Sequence, residues 1–248
     1  MSSIRISLLV FAIIIFSGTR TVFSQDARTI LEKLDQVIFA PKDKQGQVKI
    51  ILMKKGQEEK VREAFMMQKG TDKKLYRYTY PESQAGIATL SLPDGVMWLY
   101  MPAFGKPKKI SLLAKSQAFT GTDFSYEDMS VGSYAQEYKA ELLETRENSY
   151  ILELKPDAEK SNYSKLILEV DKTNYYPIHI DYYNKKGILE KEADYRYRKT
   201  GKYWNAEEVT MTDLKKDHAT RILMTEVIFD QNLSDEEFTV EKLVPESK

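Results

Sequence analysis

The sequence predicts a mainly β protein built on one antiparallel sheet, with a single early helix. Short runs rich in Val, Ile, Tyr, Phe and Thr follow one another after Gly46, and turn residues separate them at hairpin spacing. The strands do not alternate with helices, as parallel sheets would require. We expect about eleven strands. Linkers, repeats and low-complexity tracts are absent from the sequence, which predicts one domain over residues 25–248.

The N-terminus has the three-part layout of a cleavable export signal. Arg5 supplies the positive charge, and residues 6–16 form an apolar run that only Ser7 interrupts. A spanning helix needs roughly 20 apolar residues, so a membrane anchor is the less favoured alternative. We predict that residues 1–24 are a signal peptide cleaved near Ser24, and that the mature protein works in the periplasm.

The first predicted element of the mature chain is an amphipathic helix. Asp26 is a suitable N-cap, and Pro41 stops the helix. Apolar residues recur at three- and four-residue spacing, which predicts one face packed on a sheet. They are Ile30, Leu31, Leu34, Val37 and Ile38.

Turn signals then divide the chain into hairpins. Strands of alternating character lie between them, as in residues 178–182 and 194–198. The turns are predicted at Lys55-Gly56, Lys69-Gly70, Pro93-Asp94-Gly95, Glu147-Asn148, Lys186-Gly187 and Thr200-Gly201.

Residues 111–129 do not fit this meander. The segment is long and apolar but has no period-2 alternation. Such a connection is either a lid or buried irregular structure. Asp123 and Asp128 within it are expected to cap a short helix rather than to bind a ligand or act as acids.

Residues 93–103 and 106–110, the block Ala118-Phe119-Thr120-Gly121-Thr122-Asp123-Phe124-Ser125-Tyr126-Glu127-Asp128-Met129, and the closing residues 235–240 resemble the outer-membrane lipoprotein-sorting family, the LolA-like periplasmic proteins. The resemblance extends over most of the mature chain. It implies a strongly curved antiparallel sheet forming an open half-barrel, with the N-terminal helix and a helical lid over an apolar cavity for acyl chains.

The same resemblance implies a carrier that shelters acyl chains of lipoproteins or other lipids between membranes. An inner-membrane transporter and an outer-membrane acceptor are then the expected partners, and some members are associated with RND-type exporters. Relatives of this fold also include lipid sensors, which pass a signal to a membrane partner. Sensors usually add a second domain, for which we expect no room before Lys248.

Soft and aromatic side chains are the candidates for lipid contact, because Met repacks readily around variable chains. For each of them, ordinary core packing is the alternative. The candidate cavity or lid residues are Met66, Trp98, Tyr100, Leu112, Leu113, Phe119, Phe124 and Met129.

Three lysines precede the predicted lid and are candidates for contact with a headgroup, an anionic membrane or an acidic partner: Lys106, Lys108 and Lys109. The alternative is an edge strand, where Lys discourages unwanted strand pairing.

Composition excludes several classes of function. Removing residues 1–24 leaves a net charge of about −2, which does not favour nucleic acid. The absence of Cys excludes disulfides and thiolate metal sites. His179 and His218 are the only histidines, and neither belongs to a known catalytic or metal motif. We therefore predict neither a cofactor nor an enzymatic activity, although a pair of carboxylates acting in hydrolysis would leave no sequence signature.

Overall fold

The computed structural model describes residues 26–54, 60–156 and 161–245, apart from the side chains of residues 112 and 113. The predicted signal peptide and the Lys55-Gly56 turn lie outside these ranges. In the described chain there are three α-helices: α1 Ala27–Ile38, α2 Tyr126–Ser130 and α3 Tyr134–Glu137. The 3₁₀ turns are Glu82–Gln84, Pro93–Gly95, Pro102–Phe104, Leu112–Ser116, Phe119–Gly121, Asp235–Phe238 and Glu241–Leu243.

Thirteen strands in the described ranges form one sheet, in which every pair of neighbours is antiparallel. They are β1 Asp43–Lys54, β2 Lys60–Lys69, β3 Lys73–Tyr80, β4 Ala88–Leu92, β5 Val96–Tyr100, β6 Lys108–Lys109, β7 Tyr138–Thr145, β8 Ser149–Pro156, β9 Tyr163–Asp171, β10 Pro177–Asn184, β11 Leu189–Thr200, β12 Tyr203–Asp213 and β13 His218–Phe229.

The sheet is an open half-barrel made of two meanders. Its order is β6-β5-β4-β3-β2-β1-β13-β12-β11-β10-β9-β8-β7, so only the β1–β13 pair joins strands that are distant in the sequence. The pair runs from Lys44↔Phe229 to Lys54↔His218, with a bulge in β13 opposite Gly46. A side chain at Gly46 would place its Cβ 3.0 Å from the Thr225 carbonyl oxygen, so a larger residue there would force the backbone of β13 to shift.

Cross-strand register sorts the side chains onto two faces, because directly paired residues point the same way. The face that α1 covers is called the inner face; Tyr76, Leu152, Ile180 and Met211 belong to it and lie in or against the largest hydrophobic cluster. The opposite, outer face is covered near β2–β5 by the C-terminal 3₁₀ turns. Phe238 and Leu243 pack there against Met67, Leu75 and Leu90.

Helix α1 follows the predicted pattern. The Asp26 carboxylate accepts a hydrogen bond from the Arg28 backbone N–H, and the helix ends at Ile38, before Pro41. Ile30, Leu31 and Leu34 are fully buried on the inner face. The helix therefore covers one end of the half-barrel, as the sequence predicts.

Leu31→Ala is expected to lower the free energy of unfolding by about 2–5 kcal/mol, because it removes a fully buried side chain and leaves a cavity. Urea denaturation of the mature protein measures the change. Glu32→Ala on the same helix is the control: it removes only an exposed pair with Arg28 and should cost less than about 0.5 kcal/mol. Equal losses in the two variants would mean that α1 is not packed on the sheet.

Candidate functional site

A cavity of about 180 Å³ lies between the inner face and the segment that precedes β7. Both meanders contribute to its walls, and α2, α3 and the residues between them close it. Its lining residues are Val48, Lys74, Tyr76, Phe124, Glu127, Asp128, Met129, Val131, Tyr134, Tyr138, Tyr163, Leu166, Ile180, Tyr182, Tyr195, Ala206, Val209, Ile222 and Met224.

Most of this lining is aliphatic or aromatic, and six of the residues are tyrosines. Burial raises the pKa of Tyr76 and of Tyr195 to about 12. Burial also raises the pKa of Tyr163 and of Tyr182 well above the usual value. The tyrosines are therefore neutral at physiological pH, and the wall combines aromatic carbon with uncharged hydroxyl groups.

The two acidic residues of the wall are already bonded to the protein. The Glu127 carboxylate accepts from the Asn162 backbone N–H at 2.9 Å and from Asn162 Nδ2 at 2.7 Å. The Asp128 carboxylate accepts from the Tyr163 hydroxyl at 2.7 Å and lies 3.3 Å from Lys191 Nζ. These bonds tie α2 to β9 and β11.

The one cation of the wall is Lys74 on β3. Its ammonium donates to the Val131 carbonyl oxygen at 2.5 Å. Burial lowers the pKa of Lys74 to about 8, although Glu137 and Asp72 act in the opposite direction. Burial, with repulsion from Lys74, likewise lowers the pKa of Lys44 to about 8.

Residues 111–129, called the lid segment, are held over the inner face by polar bonds at separate points. Arg62 Nη1 donates to the Thr120 carbonyl oxygen at 2.5 Å, and the hydroxyls of Tyr78 and Thr120 are hydrogen-bonded. Asp123 accepts from Thr220 Oγ1 at 2.6 Å and lies 2.6 Å from His218 Nδ1.

The lid segment also carries apolar anchors. The Phe119 ring packs edge-on against Tyr76 and Tyr126, with centroid distances of 6.0 and 5.4 Å. Phe124 is 5% exposed and lines the cavity. The segment is therefore partly buried irregular structure, and its residues 124 and 127–129 line the cavity. Its movement as a lid stays a prediction.

The structure brings only some of the candidate residues to the cavity. Phe124 and Met129 line it, whereas Phe119 lies beside it in the same cluster. Met66 is on the inner face, in a neighbouring cluster with Tyr78, and does not line the cavity. The side chains of Leu112 and Leu113 fall outside the described structure.

Trp98 and Tyr100 lie on the outer face, contrary to the expectation that they face the cavity. Both pack in the cluster that the C-terminal turns cover. Met97, which precedes Trp98 on β5, and Leu99, which lies between Trp98 and Tyr100, pack in or against the inner-face cluster instead. The sequence shows the alternation of β5 correctly. It does not show which set faces inward, because both faces of this strand are covered.

Asp123 corrects a second expectation. Asp128 does cap α2, since it accepts from the Ser125 backbone N–H at 2.6 Å while Ser125 Oγ accepts from the Asp128 backbone N–H. Asp123 caps no helix and is instead bonded to Thr220 and His218 on β13. Its partners are about 95 residues away in sequence, so local pattern could not reveal them.

The three candidate lysines lie at the edge of the sheet beyond β5. Lys106, Lys108 and Lys109 are exposed, and the last two form β6, the terminal strand of the sheet. Lys108 Nζ lies 4.5 Å from the ring centroid of Phe104, which is 56% exposed. The position matches the edge-strand alternative, and the exposed ring adds an apolar group to the cationic edge.

His179 lies on the outer face, between two carboxylates. Its Nδ1 is 2.7 Å from Asp194 and its Nε2 is 2.9 Å from Asp181. Burial opposes protonation, but the bonds to Asp194 and Asp181 outweigh it and raise the pKa of His179. Within the described ranges, no group of three His, Asp or Glu residues is arranged to hold a metal ion.

A family model described as "Uncharacterized protein" matches residues 70–244. An outer membrane lipoprotein-sorting protein domain from Vibrio parahaemolyticus is 27% identical, with a TM-score of 0.82 over 88% of this chain and 97% of that one. The chain belongs to the matched family and is LolA-like. The resemblance stated from the sequence is thereby confirmed.

Two further solved structures agree with this assignment. A DUF1329 family protein from Desulfovibrio piger is 25% identical, with a TM-score of 0.81 over 88% of this chain and 97% of that one. A LolA superfamily protein from Nitrosomonas europaea is 25% identical, with a TM-score of 0.74 over 86% and 97%. No curated protein matches this LolA-like chain. None of the helices in the described ranges is both long and apolar enough to cross a membrane.

The half-buried lysines Lys44 and Lys74 predict an unusual pH dependence of stability. Lys74 and Lys44 release their protons near pH 8 when folded, but the unfolded chain keeps them to about 10.5. The unfolded state therefore binds more protons, and the free energy of unfolding should rise from pH 8 to about 10. Above about 10 it should fall, because Tyr76 and Tyr195 keep their protons only when folded.

Urea denaturation at several pH values measures this profile. Lys74→Met should reduce the rise between pH 8 and 10 by up to about 1.4 kcal/mol per pH unit. Lys49→Met, which changes an exposed lysine on β1, should leave the rise intact. A wild-type stability that is flat or falling between pH 8 and 10 would contradict the burial of these lysines.

Proposed function

We propose that this LolA-like protein is a periplasmic carrier that shelters acyl chains of lipoproteins or other lipids while they move between membranes. The observation that supports this most is the apolar cavity between the inner face and the lid segment. Each CH₂ group moved from an apolar site into water costs about 0.8 kcal/mol. A carrier must therefore bury the chain, and it needs no catalytic group to do so.

In this proposal the lid segment moves when cargo enters. The cavity of about 180 Å³ is smaller than the roughly 300–1,000 Å³ of typical ligand sites. The polar bonds of Thr120 and Asp123 involve the charged groups of Arg62 and Asp123, and exchanging them for bonds to water costs about 1.5–3 kcal/mol each. Once displaced, Phe119 and Phe124 would turn from packing on the sheet to packing on the acyl chain.

The proposal includes transient contact with membranes and with other proteins. Export by residues 1–24 would deliver the protein to the periplasm, where an inner-membrane transporter would load it and an outer-membrane acceptor would unload it. A link to an RND-type exporter belongs to the same proposal. The exposed Phe104 with Lys106, Lys108 and Lys109 is the surface we assign to an anionic membrane.

Ala206→Phe is expected to lower lipid binding without loss of stability, because the new ring would occupy the cavity rather than remove a core contact. Native mass spectrometry of the mature protein with palmitate measures the bound fraction. Thermal unfolding measures stability in the same samples.

The matched control is Ala103→Phe, which adds the same ring at an exposed position. It should bind as much palmitate as wild type. If Ala206→Phe and wild type also bind equally, the cavity is not the lipid site. If wild type itself binds no lipid, the carrier proposal is wrong.

The double substitution of Lys108 and Lys109 by Gln should weaken association with phosphatidylglycerol vesicles. Each lysine near an anionic surface contributes about 1 kcal/mol, so the loss should be roughly 30-fold. Co-sedimentation with vesicles at low and high salt measures it. The same double substitution at Lys185 and Lys186, which are also exposed, is the control and should reduce vesicle binding much less. Equal losses of binding in the two variants would mean that net charge, not a defined surface, determines the association.

A further inference from the structure

Among the charged side chains that line the cavity, the two carboxylates have strong hydrogen-bond partners, whereas the one ammonium group has a single neutral partner. Glu127 and Asp128 are bonded to Asn162, Tyr163 and Lys191, as described above. Lys74 has one hydrogen-bond acceptor in the described structure, a neutral backbone carbonyl. An ammonium group has three N–H donors, so Lys74 retains donors for a bound molecule.

A second cation lies beside Lys74 on the same face. Gln68 on β2 pairs with Lys44 on one side and with Lys74 on the other. Neighbouring strands are about 4.8 Å apart, so the two lysines are about 10 Å apart at their Cα atoms. Repulsion from Lys74 contributes to the lowered pKa of Lys44, which places the two charges within each other's field.

The nearby acids do not neutralise this pair by direct contact. Asp72 and Glu137 act on Lys74 only through space, since no ion pair joins either to Lys74 in the described chain. Glu137 accepts from the Gly132 backbone N–H at 2.5 Å, and burial raises its pKa. Lys115, which also acts on Glu137, adds a further positive charge on this side of the cavity.

We propose that Lys74, with Lys44 beside it, binds the anionic headgroup of the carried lipid, a carboxylate or a phosphate joined to an acyl chain. This inference rests on the proposed carrier function and specifies its cargo. An ammonium group that is half-buried without an anion is costly, and a bound anion lowers that cost. The tyrosines and aliphatic residues of the cavity would then enclose the first part of the chain.

The inference separates two classes of cargo. The acyl groups of lipoproteins are held by uncharged ester and amide bonds, and they would leave Lys74 without an anion. A fatty acid or an anionic phospholipid would supply one. We therefore expect this protein to prefer anionic acyl lipids to neutral ones.

The test measures binding of palmitate, methyl palmitate and dipalmitoyl phosphatidylglycerol to the mature protein at pH 7, by displacement of a fluorescent fatty-acid probe. Wild type should bind palmitate roughly 10- to 100-fold more tightly than methyl palmitate, the range of a hydrogen bond to a charged group. Lys74→Met should abolish this preference by weakening the binding of palmitate more than that of methyl palmitate. Phosphatidylglycerol shows whether a phosphate replaces the carboxylate.

Lys74→Arg and Lys49→Met are the controls: the first keeps the charge and should retain most of the preference, and the second should retain all of it. The preference of wild type should also fall between pH 7 and 9, as Lys74 loses its proton.

Equal binding of palmitate and methyl palmitate by wild type would overturn this inference and leave the carrier proposal standing. Absence of binding by all three lipids would overturn both. A preference that persists in both Lys74→Met and Lys74→Gln would overturn the assignment to Lys74.

Discussion

The antiparallel pairing of β1 with β13 is the interaction on which the rest of the structure depends. Every other neighbouring pair in the described sheet joins strands that follow each other in the sequence, whereas this pair joins the two meanders into one surface. The cavity needs both halves, because Lys74 and Tyr76 come from one meander and Tyr182 and Tyr195 from the other. The same pairing sets Thr220 and His218 where Asp123 of the lid segment meets them.

The register between β1 and β13 is fixed by the side chains they bury, even though β13 has a bulge opposite Gly46. Ordinary register brings Val48 opposite Met224 and Ile50 opposite Ile222, which places these side chains together on the inner face. A shift of one residue would turn them to the outer face and expose the buried part of β1. The extra residue of the bulge lies on β13, opposite Gly46. Because Gly46 has no side chain, it does not crowd Thr225 and Val227 on that strand.

Local sequence pattern predicted the hairpins of the sheet but not the pairing of β1 with β13 that joins its two meanders. Turn residues at Lys69-Gly70 and Lys186-Gly187 act over a few positions, and the structure has the hairpins they predict. Nothing local relates Lys44 to Phe229, which are far apart in the sequence and adjacent in the sheet. The sequence pattern of α1 was sufficient to predict the helix and its packing, because the cap and the buried face both lie within one short segment.

The candidate site was harder to predict because the sheet near β5 is covered on both faces. On a strand with one solvent face, alternation of apolar and polar residues identifies the inner set. On β5 both sets are partly or fully buried, so Trp98 and Tyr100 looked as suitable as Met97. The tyrosines of β10 and β11 were recognisable as alternating positions, but their convergence on one cavity with Tyr163 of β9 depends on register across three strands. Lys74 carried no local signal at all, because its environment is made by Lys44, Val131 and Glu137 from three other segments.

The lid segment combines two kinds of attachment whose costs of release differ. Its polar contacts lie with Arg62, Thr220 and His218, and water can replace each of them at a net cost of about 1.5–3 kcal/mol, because each involves a charged group. Its apolar contacts through Phe119 and Phe124 are lost in water but can be replaced by an acyl chain. The free energy of opening is therefore much smaller when lipid is available than when it is absent. In the proposed carrier, a segment attached in this way would cover the cavity in water and open where lipid is available.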